Sequence, residues 1–326
     1  MHGVLTLAGE GTRMLPWTRG LRKEFLPLYD RGISGAPVLK PVAHLALESL
    51  AGAGARDLTL VVATRDLPTA RNYFSIDPAF LARHAHHRER LTETERFYHR
   101  LRGLRLRFAV QRLPRGFGDA VLRARPMVGP HPFLLHAADA VLLEPEPGAL
   151  PARMAALRDR EDLAGVLLVR RVADPTRYGV VEGRPAGREG PLARIDLSGM
   201  EEKPARPKSH WAATAVYAFA PRLFEALEAV ARRDRPRELE VTGAIVHLLE
   251  RGDRFAALVL TERAGEWRSV GSAEGYLAAL RRTHSRARRA AGTAGRARGT
   301  NSLPEPDGPA PAESGHPAPV GPLAAP

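Results

Sequence analysis

The 326-residue chain has no cysteine, which removes disulfides, thiolate metal sites and a cysteine nucleophile at once and fits a reducing compartment. It also lacks any apolar run of membrane-spanning length and any N-terminal basic segment followed by an apolar one. A soluble cytoplasmic protein with no membrane partner is the expectation. Lysine is scarce, with four among 49 basic residues. Where arginine is used nearly everywhere, a retained lysine suggests a place that needs a compact ammonium rather than a planar fork.

What is abundant is positive charge. The formal net charge is +13, and seven arginines follow Tyr276 against Glu305, Asp307 and Glu313, so +9 stays on the body of the chain. Such a body attracts polyanions, but the arginine-heavy composition accounts for it equally, and nucleic acid is not favoured as a partner. Homo-oligomerisation is left open.

The chain is organised around Leu5-Thr-Leu-Ala8-Gly9-Glu-Gly11-Thr12-Arg13-Met-Leu-Pro16, continuing to Arg22-Lys23-Glu24-Phe-Leu-Pro27. Val4 to Leu7 reads as a buried strand, and Gly9 and Gly11 let the backbone turn sharply after it. A loop of this kind offers backbone N–H groups to an anion, Arg13 adds a bidentate cation and Lys23 a mobile point charge, tools suited to a triphosphate. It is neither of two familiar glycine loops: Met14 holds the third glycine position of G-x-G-x-x-G, and no Gly-Lys-Ser/Thr follows a four-residue spacer.

The stretch resembles the G-x-G-T-R-x-x-P…K-E-x-L-P signature of the sugar-1-phosphate nucleotidyltransferases, and the resemblance extends over roughly residues 3 to 285, closest to the branch that makes UDP-glucose. It implies a Rossmann-like α/β fold of the glycosyltransferase-A kind, an open mixed, mainly parallel sheet flanked by helices. It further implies one domain over 1–285, with a nucleotide-binding half (1–140) and a sugar-phosphate half (141–285). The reaction it implies takes UTP or dTTP and a sugar 1-phosphate, with Mg²⁺. Ala8, Gly9, Gly11 and Thr12 would bind the nucleotide, with Arg13 and Lys23 on its triphosphate.

Further along, strand–loop–helix–strand order over Val4–Ala63 predicts a parallel sheet with the glycine loop at its carboxyl edge. Residues 30–37 read as a turn-rich excursion, and 66–102 as covering helices whose His84, His86, His87 and His99 are expected on a solvated face. Leu104 to Val110 alternates as a half-buried strand and delivers Gln111 to a second loop containing Gly116; an amide can read a pyrimidine edge and a glycine lets the base approach. By the resemblance, Gln111 and Gly116 contact the base. The resemblance also implies that Asp139, after the buried run Pro132–Leu135, would hold Mg²⁺, that Gly179 and Glu202 would hold sugar hydroxyls, and that Lys203 would neutralise the sugar phosphate.

The pattern is broken in several places. Ser269 stands where the family's second metal-binding aspartate is expected in Trp267-Arg268-Ser269-Val270-Gly271, and a neutral hydroxyl is a much weaker ligand for a hard dication. Arg22 replaces a proline, Gly243 an aspartate and Ala215 a glycine. These departures leave three readings: a uridylyltransferase, a thymidylyltransferase, or a nucleotide-sugar-binding regulator without turnover. From 286 to 326 the chain is Arg-rich and then Pro/Ala-rich, composition expected of a disordered tail. If the reading holds, Lys23 and Lys203 converge from opposite halves on one cleft floored by Asp139.

Overall fold

The computed structural model describes residues 1–234 and 236–298. In chain order the elements are β1 (His2–Leu7), β2 (Pro27–Arg31), β3 (Pro37–Pro41), α1 (Val42–Gly52), β4 (Asp57–Ala63), α2 (Leu67–Tyr73), α3 (Pro78–Arg83), α4 (Arg88–Arg102), β5 (Arg105–Gln111), α5 (Phe117–Arg123), α6 (Arg125–Val128), β6 (Phe133–Ala137) and β7 (Ala140–Leu143). They continue as α7 (Ala149–Glu161), β8 (Gly165–Arg171), β9 (Gly179–Glu189), β10 (Leu192–Glu202), β11 (Trp211–Phe219), α8 (Arg222–Asp234), α9 (Val241–Glu250), β12 (Phe255–Val259), β13 (Glu266–Ser269) and α10 (Ala273–Arg298).

One mixed nine-stranded sheet, ordered β5-β4-β1-β6-β11-β8-β12-β10-β9, runs through the molecule. Its first four strands are mutually parallel, as the strand–helix–strand order predicts, and β8 pairs β12 in parallel; β11 inserts antiparallel between β6 and β8. The sheet is covered on both faces, which is why its central strands read as unbroken apolar runs. Successive residues serve opposite cores: Leu5, Leu7, Leu134, Val166 and Leu168 pack under α1 and α7, while Val4, Phe133, Leu135, Leu167 and Val169 pack under α5, α8 and α9. This is the two-residue alternation of a strand buried on both sides.

Three additions position the site. The expected excursion at 30–37 is instead a turn joining β2 to β3, an antiparallel hairpin registered Pro27↔Pro41 to Arg31↔Pro37. β7 and β13, four residues each and far apart in sequence, pair antiparallel with Ser269 opposite Ala140. Helix α10 packs on β2 and β13, where Tyr276 donates to the Pro27 carbonyl at 3.0 Å. The helix runs on to Arg298, so the tail expected from residue 286 starts inside a helix whose Arg286 guanidinium bonds the Glu144 carbonyl; the rest of that tail, 299–326, lies outside the described residues.

Candidate active site

Because β1, β4, β5, β6 and β8 run the same way, the segments leaving their carboxyl ends gather along one edge. The first is the glycine loop. Gly11 has φ +68°, a left-handed conformation natural to glycine, and a Cβ there would come within 2.8 Å of the Thr18 methyl. Thr18 donates to the Gly11 carbonyl at 2.9 Å. Arg22, buried and paired with Asp66, donates to the carbonyls of Gly9 (2.9 Å) and Glu10 (3.3 Å). That explains the missing proline: the arginine engages the loop's acceptors, and the N–H groups remain as the polarity available to an anion.

Lys23 follows in a single turn of 3-10 helix and is 6% exposed. Its ammonium lies 2.8 Å from Asp139 Oδ2. Burial opposes charge on both groups, but each outweighs it for the other: the lysine pKa is raised and the aspartate's lowered. Neighbouring Glu24 is 1% exposed, and burial pushes its carboxyl up to about 8 against the pull of Lys23.

Asp139 sits between β6 and β7 with its side chain 32% exposed to the cleft. The β7–β13 pairing brings Ser269 alongside: the Val270 N–H donates to the Asp139 carbonyl at 2.8 Å, and Ser269 Oγ lies 3.5 Å from the same oxygen. Ser269 Oγ also accepts from the Gly271 N–H at 3.1 Å. Arg13 reaches across to this segment, since a Cβ on Gly271 would meet its guanidinium at 3.0 Å.

At the end of β5, Gln111 is 5% exposed and its amide nitrogen donates to the Gly116 carbonyl (3.1 Å) and to Asp119 Oδ2 (2.8 Å). Asp119, also paired with Arg123, can only accept, so the amide orientation is fixed and the carboxamide oxygen is left as an acceptor. Gly116 has φ +99°, and a Cβ there would lie 2.4 Å from the Leu239 carbonyl. Leu239 exchanges bonds with this loop, donating to Arg115 at 2.8 Å and accepting from Gly118 at 2.7 Å. The approach to α9 is thereby stitched to the Gln111 loop.

The opposite wall comes from the second half. Thr242 donates to Glu202 Oε2 at 2.8 Å, and a Cβ on Gly179 would reach that oxygen at 3.1 Å. Lys203, at φ +46°, donates its N–H to the Tyr178 carbonyl at 2.9 Å, and its ammonium lies 3.2 Å from Glu202 Oε1. Partial burial would lower the Lys203 pKa, but Glu202 and Glu240 together raise it. Glu240 is pushed up to about 7, by burial first and then by Glu202. Ala215, at φ +56° in the irregular stretch of β11 between Ala213 and Tyr217, faces the same space.

All twelve residues singled out from the sequence (Ala8, Gly9, Gly11, Thr12, Arg13, Lys23, Gln111, Gly116, Asp139, Gly179, Glu202 and Lys203) line this one cavity of about 640 Å³. Lining it too, and without an assigned role in the sequence reading, are Glu24, Arg170, Arg177, Glu238, Glu240 and Thr242. Glu24 lies inside the leading motif and Arg177 two residues before Gly179, so both could be found there; the others reach the cleft through the packing of the second half. Among the described residues no group of three or more His, Asp or Glu gathers as a metal cage, and no helix is long and apolar enough to cross a membrane. The histidines at 86, 87 and 99 are exposed around α4, away from this cavity.

A family profile described as nucleotidyl transferase matches residues 2–286. The chain is 28% identical over 274 residues to a glucose-1-phosphate thymidylyltransferase of Streptomyces antibioticus, covering 83% of this chain and 63% of that one, so it spans less than two thirds of that relative's length. It is 29% identical over 245 residues to a UTP–glucose-1-phosphate uridylyltransferase of Streptococcus pneumoniae, covering 74% of this chain and 77% of that one. A solved UDP-glucose pyrophosphorylase superposes with a TM-score of 0.75 at 22% identity, over 87% of this chain and 98% of the other, a likeness of fold.

Proposed function

The chain belongs to the nucleotidyl transferase family, and from that premise we propose that it transfers the nucleotidyl group of a pyrimidine nucleoside triphosphate, UTP, to a sugar 1-phosphate, glucose 1-phosphate. An anionic oxygen of the sugar phosphate attacks the α-phosphorus, the α–β bridging P–O bond breaks, and pyrophosphate leaves with the electron pair. No general base is required, because the nucleophile is already ionised at neutral pH. What the site must supply is alignment and neutralisation of two anions brought together.

The observation that carries this reading is the single cavity holding Lys23, Asp139 and Lys203. Arg13 and Lys23 neutralise the triphosphate above the glycine loop, and Lys203 neutralises the acceptor phosphate. Gln111, its nitrogen held by Asp119, offers its oxygen to the N3–H of the base. Uracil and thymine share that donor. Gly179 and Glu202 bind sugar hydroxyls.

Asp139 is the carboxylate that would hold Mg²⁺. One protein oxygen suffices for an ion that keeps several waters and takes substrate phosphates as ligands, so the donor set fits, with Ser269 adding at most a neutral hydroxyl. Bound there, Mg²⁺ would withdraw charge from the phosphate oxygens.

The test is pyrophosphate release with Mg²⁺, glucose 1-phosphate, and UTP or dTTP in parallel. Release with UTP is expected. Release with dTTP instead is the reading that the thymidylyltransferase relatives favour. Binding of UTP with no release, turned into release by Ser269→Asp, would overturn the enzyme reading in favour of a regulator that has lost turnover.

A further inference from the structure

Arg170, at the end of β8, places its guanidinium 4.6 Å from the centre of the Trp267 ring, and Tyr178 meets the same ring edge-on at 6.4 Å. All three line the cavity. This stack stands between the two parts of the acceptor half, because Tyr178 precedes Gly179 and Trp267 shares a strand face with Ser269, two residues on. Trp267 is 8% exposed and its Nε1 is a buried donor without a hydrogen-bond partner among the described residues; the same holds for Nε of Arg170. No carboxylate pairs with Arg170 among the described residues, although most of the chain's buried or half-buried arginines, such as Arg22, Arg158 and Arg194, are paired.

Unpaired buried donors are costly unless something completes them; one of these belongs to the indole and the other to the guanidinium stacked on it, so together they make a receptor for anionic oxygen. Stacking on the indole holds the fork while leaving its edge free to donate. We propose that Arg170, held on Trp267, is a binding residue for an anionic oxygen group of the acceptor, beyond the contact made by Lys203. Two sources carry that chemistry: the acceptor's 1-phosphate, and a carboxylate on the sugar ring of a hexuronic acid 1-phosphate. The inference rests on the proposed acceptor chemistry.

Calorimetric titration of the full chain, with a non-hydrolysable UTP analogue present, tests it using glucose 1-phosphate and glucuronic acid 1-phosphate as probes. Arg170→Gln is expected to weaken acceptor binding about tenfold or more while leaving the affinity for the UTP analogue within about twofold. An equal loss for both acceptors identifies the phosphate as the anion; a loss confined to the uronic acid identifies the carboxylate. Trp267→Phe keeps the ring and removes the indole donor, and should cause a smaller loss in the same acceptor; it and Arg170→Lys serve if Arg170→Gln does not fold. Acceptor affinities within about twofold of wild type in the folded variants overturn the inference alone. If the wild type binds neither acceptor, the proposed function falls and this inference with it.

Discussion

Lys23 and Lys203 face the same cavity from opposite halves and are held in opposite ways. Lys23 is 6% exposed, locked 2.8 Å from Asp139 and packed over Glu24. The Lys203 side chain is 57% exposed, on a left-handed turn, with a single carboxylate 3.2 Å away. The nucleotide side is thus a preorganised charge array in which loop, ammonium and carboxylate fix one another. The acceptor side is a set of looser charges on the rim of β9 and β10. Ala215 stands on this side with Gly243 in α9 behind it, Ser269 lies beside Asp139 on the other, and Arg22 is absorbed as a strut beneath the glycine loop. Electrostatic catalysis depends on groups that need not reorganise, so under the proposed reaction the chemical step is expected to rest on the buried array and the choice of acceptor on the exposed charges.

The largest effect should come from breaking the buried array. Lys23→Ala is expected to lower kcat/KM about a hundredfold, the scale of losing one preorganised charge contact. It should also cost about 1–3 kcal/mol of stability, because Asp139 loses its partner in a partly exposed site. Lys203→Ala should lower kcat/KM by about tenfold, mainly through the KM for the acceptor, with stability unchanged within about 0.5 kcal/mol. Steady-state kinetics and denaturant unfolding of both variants check the contrast. Equal stability losses would mean that the two lysines are held alike.

Next in size is a pH effect on the acceptor wall. Glu240 is raised to about 7, well above the ordinary carboxylate range, so the folded state holds its proton where the unfolded chain has released it. Its contribution to stability is complete below pH 4.5 and is lost as pH rises through 7. Glu24, raised to about 8, acts in the same direction at slightly higher pH. Buried His2, His44 and His136, whose pKa values burial lowers, act the opposite way up to about pH 6.5 and are neutral in both states above it. The thermal midpoint of the free protein should therefore fall as pH rises from about 6.5 to 8, and Glu240→Gln should make the lower part of that fall shallower. A slope unchanged in the variant would show that Glu240 ionises freely in the fold.

The contrast also explains what could be read in advance. The glycine loop, Lys23, Gln111 and Asp139 lie at ends of strands whose apolar runs are visible locally, and the parallel order follows from strand–helix–strand spacing. The hairpin of β2 and β3 was hidden because its Pro27 and Pro41 ends look like loop. The stitching of Leu239 to the Gln111 loop, the stack of Arg170 on Trp267 and the pairing of β7 with β13 join segments about 100 residues or more apart. No local pattern encodes such contacts; sheet order does. Glu240 carried no sequence signal beyond being a carboxylate before a helix, and its raised pKa arises from burial beside Glu202.

The smallest effect, and the finest probe of the acceptor half, is at Ala215. Its φ of +56° is reached inside β11, where the pairing with β8 shifts between Ala213 and Tyr217, and a methyl in that conformation costs about 1 kcal/mol relative to glycine. Gly243 has no comparable constraint: it lies in α9 and a Cβ there would meet only Val230, at 3.4 Å. Ala215→Gly should therefore raise the thermal midpoint by about 1–3 °C, after the greater entropy of the unfolded glycine is allowed for. It should at the same time lower the KM for a glucose-based acceptor if the methyl narrows the space beside the sugar. A stabilised variant with unchanged KM would separate the two roles, making the alanine a backbone cost unrelated to acceptor choice. A variant less stable than wild type would mean that the methyl is held by packing that outweighs its strained backbone.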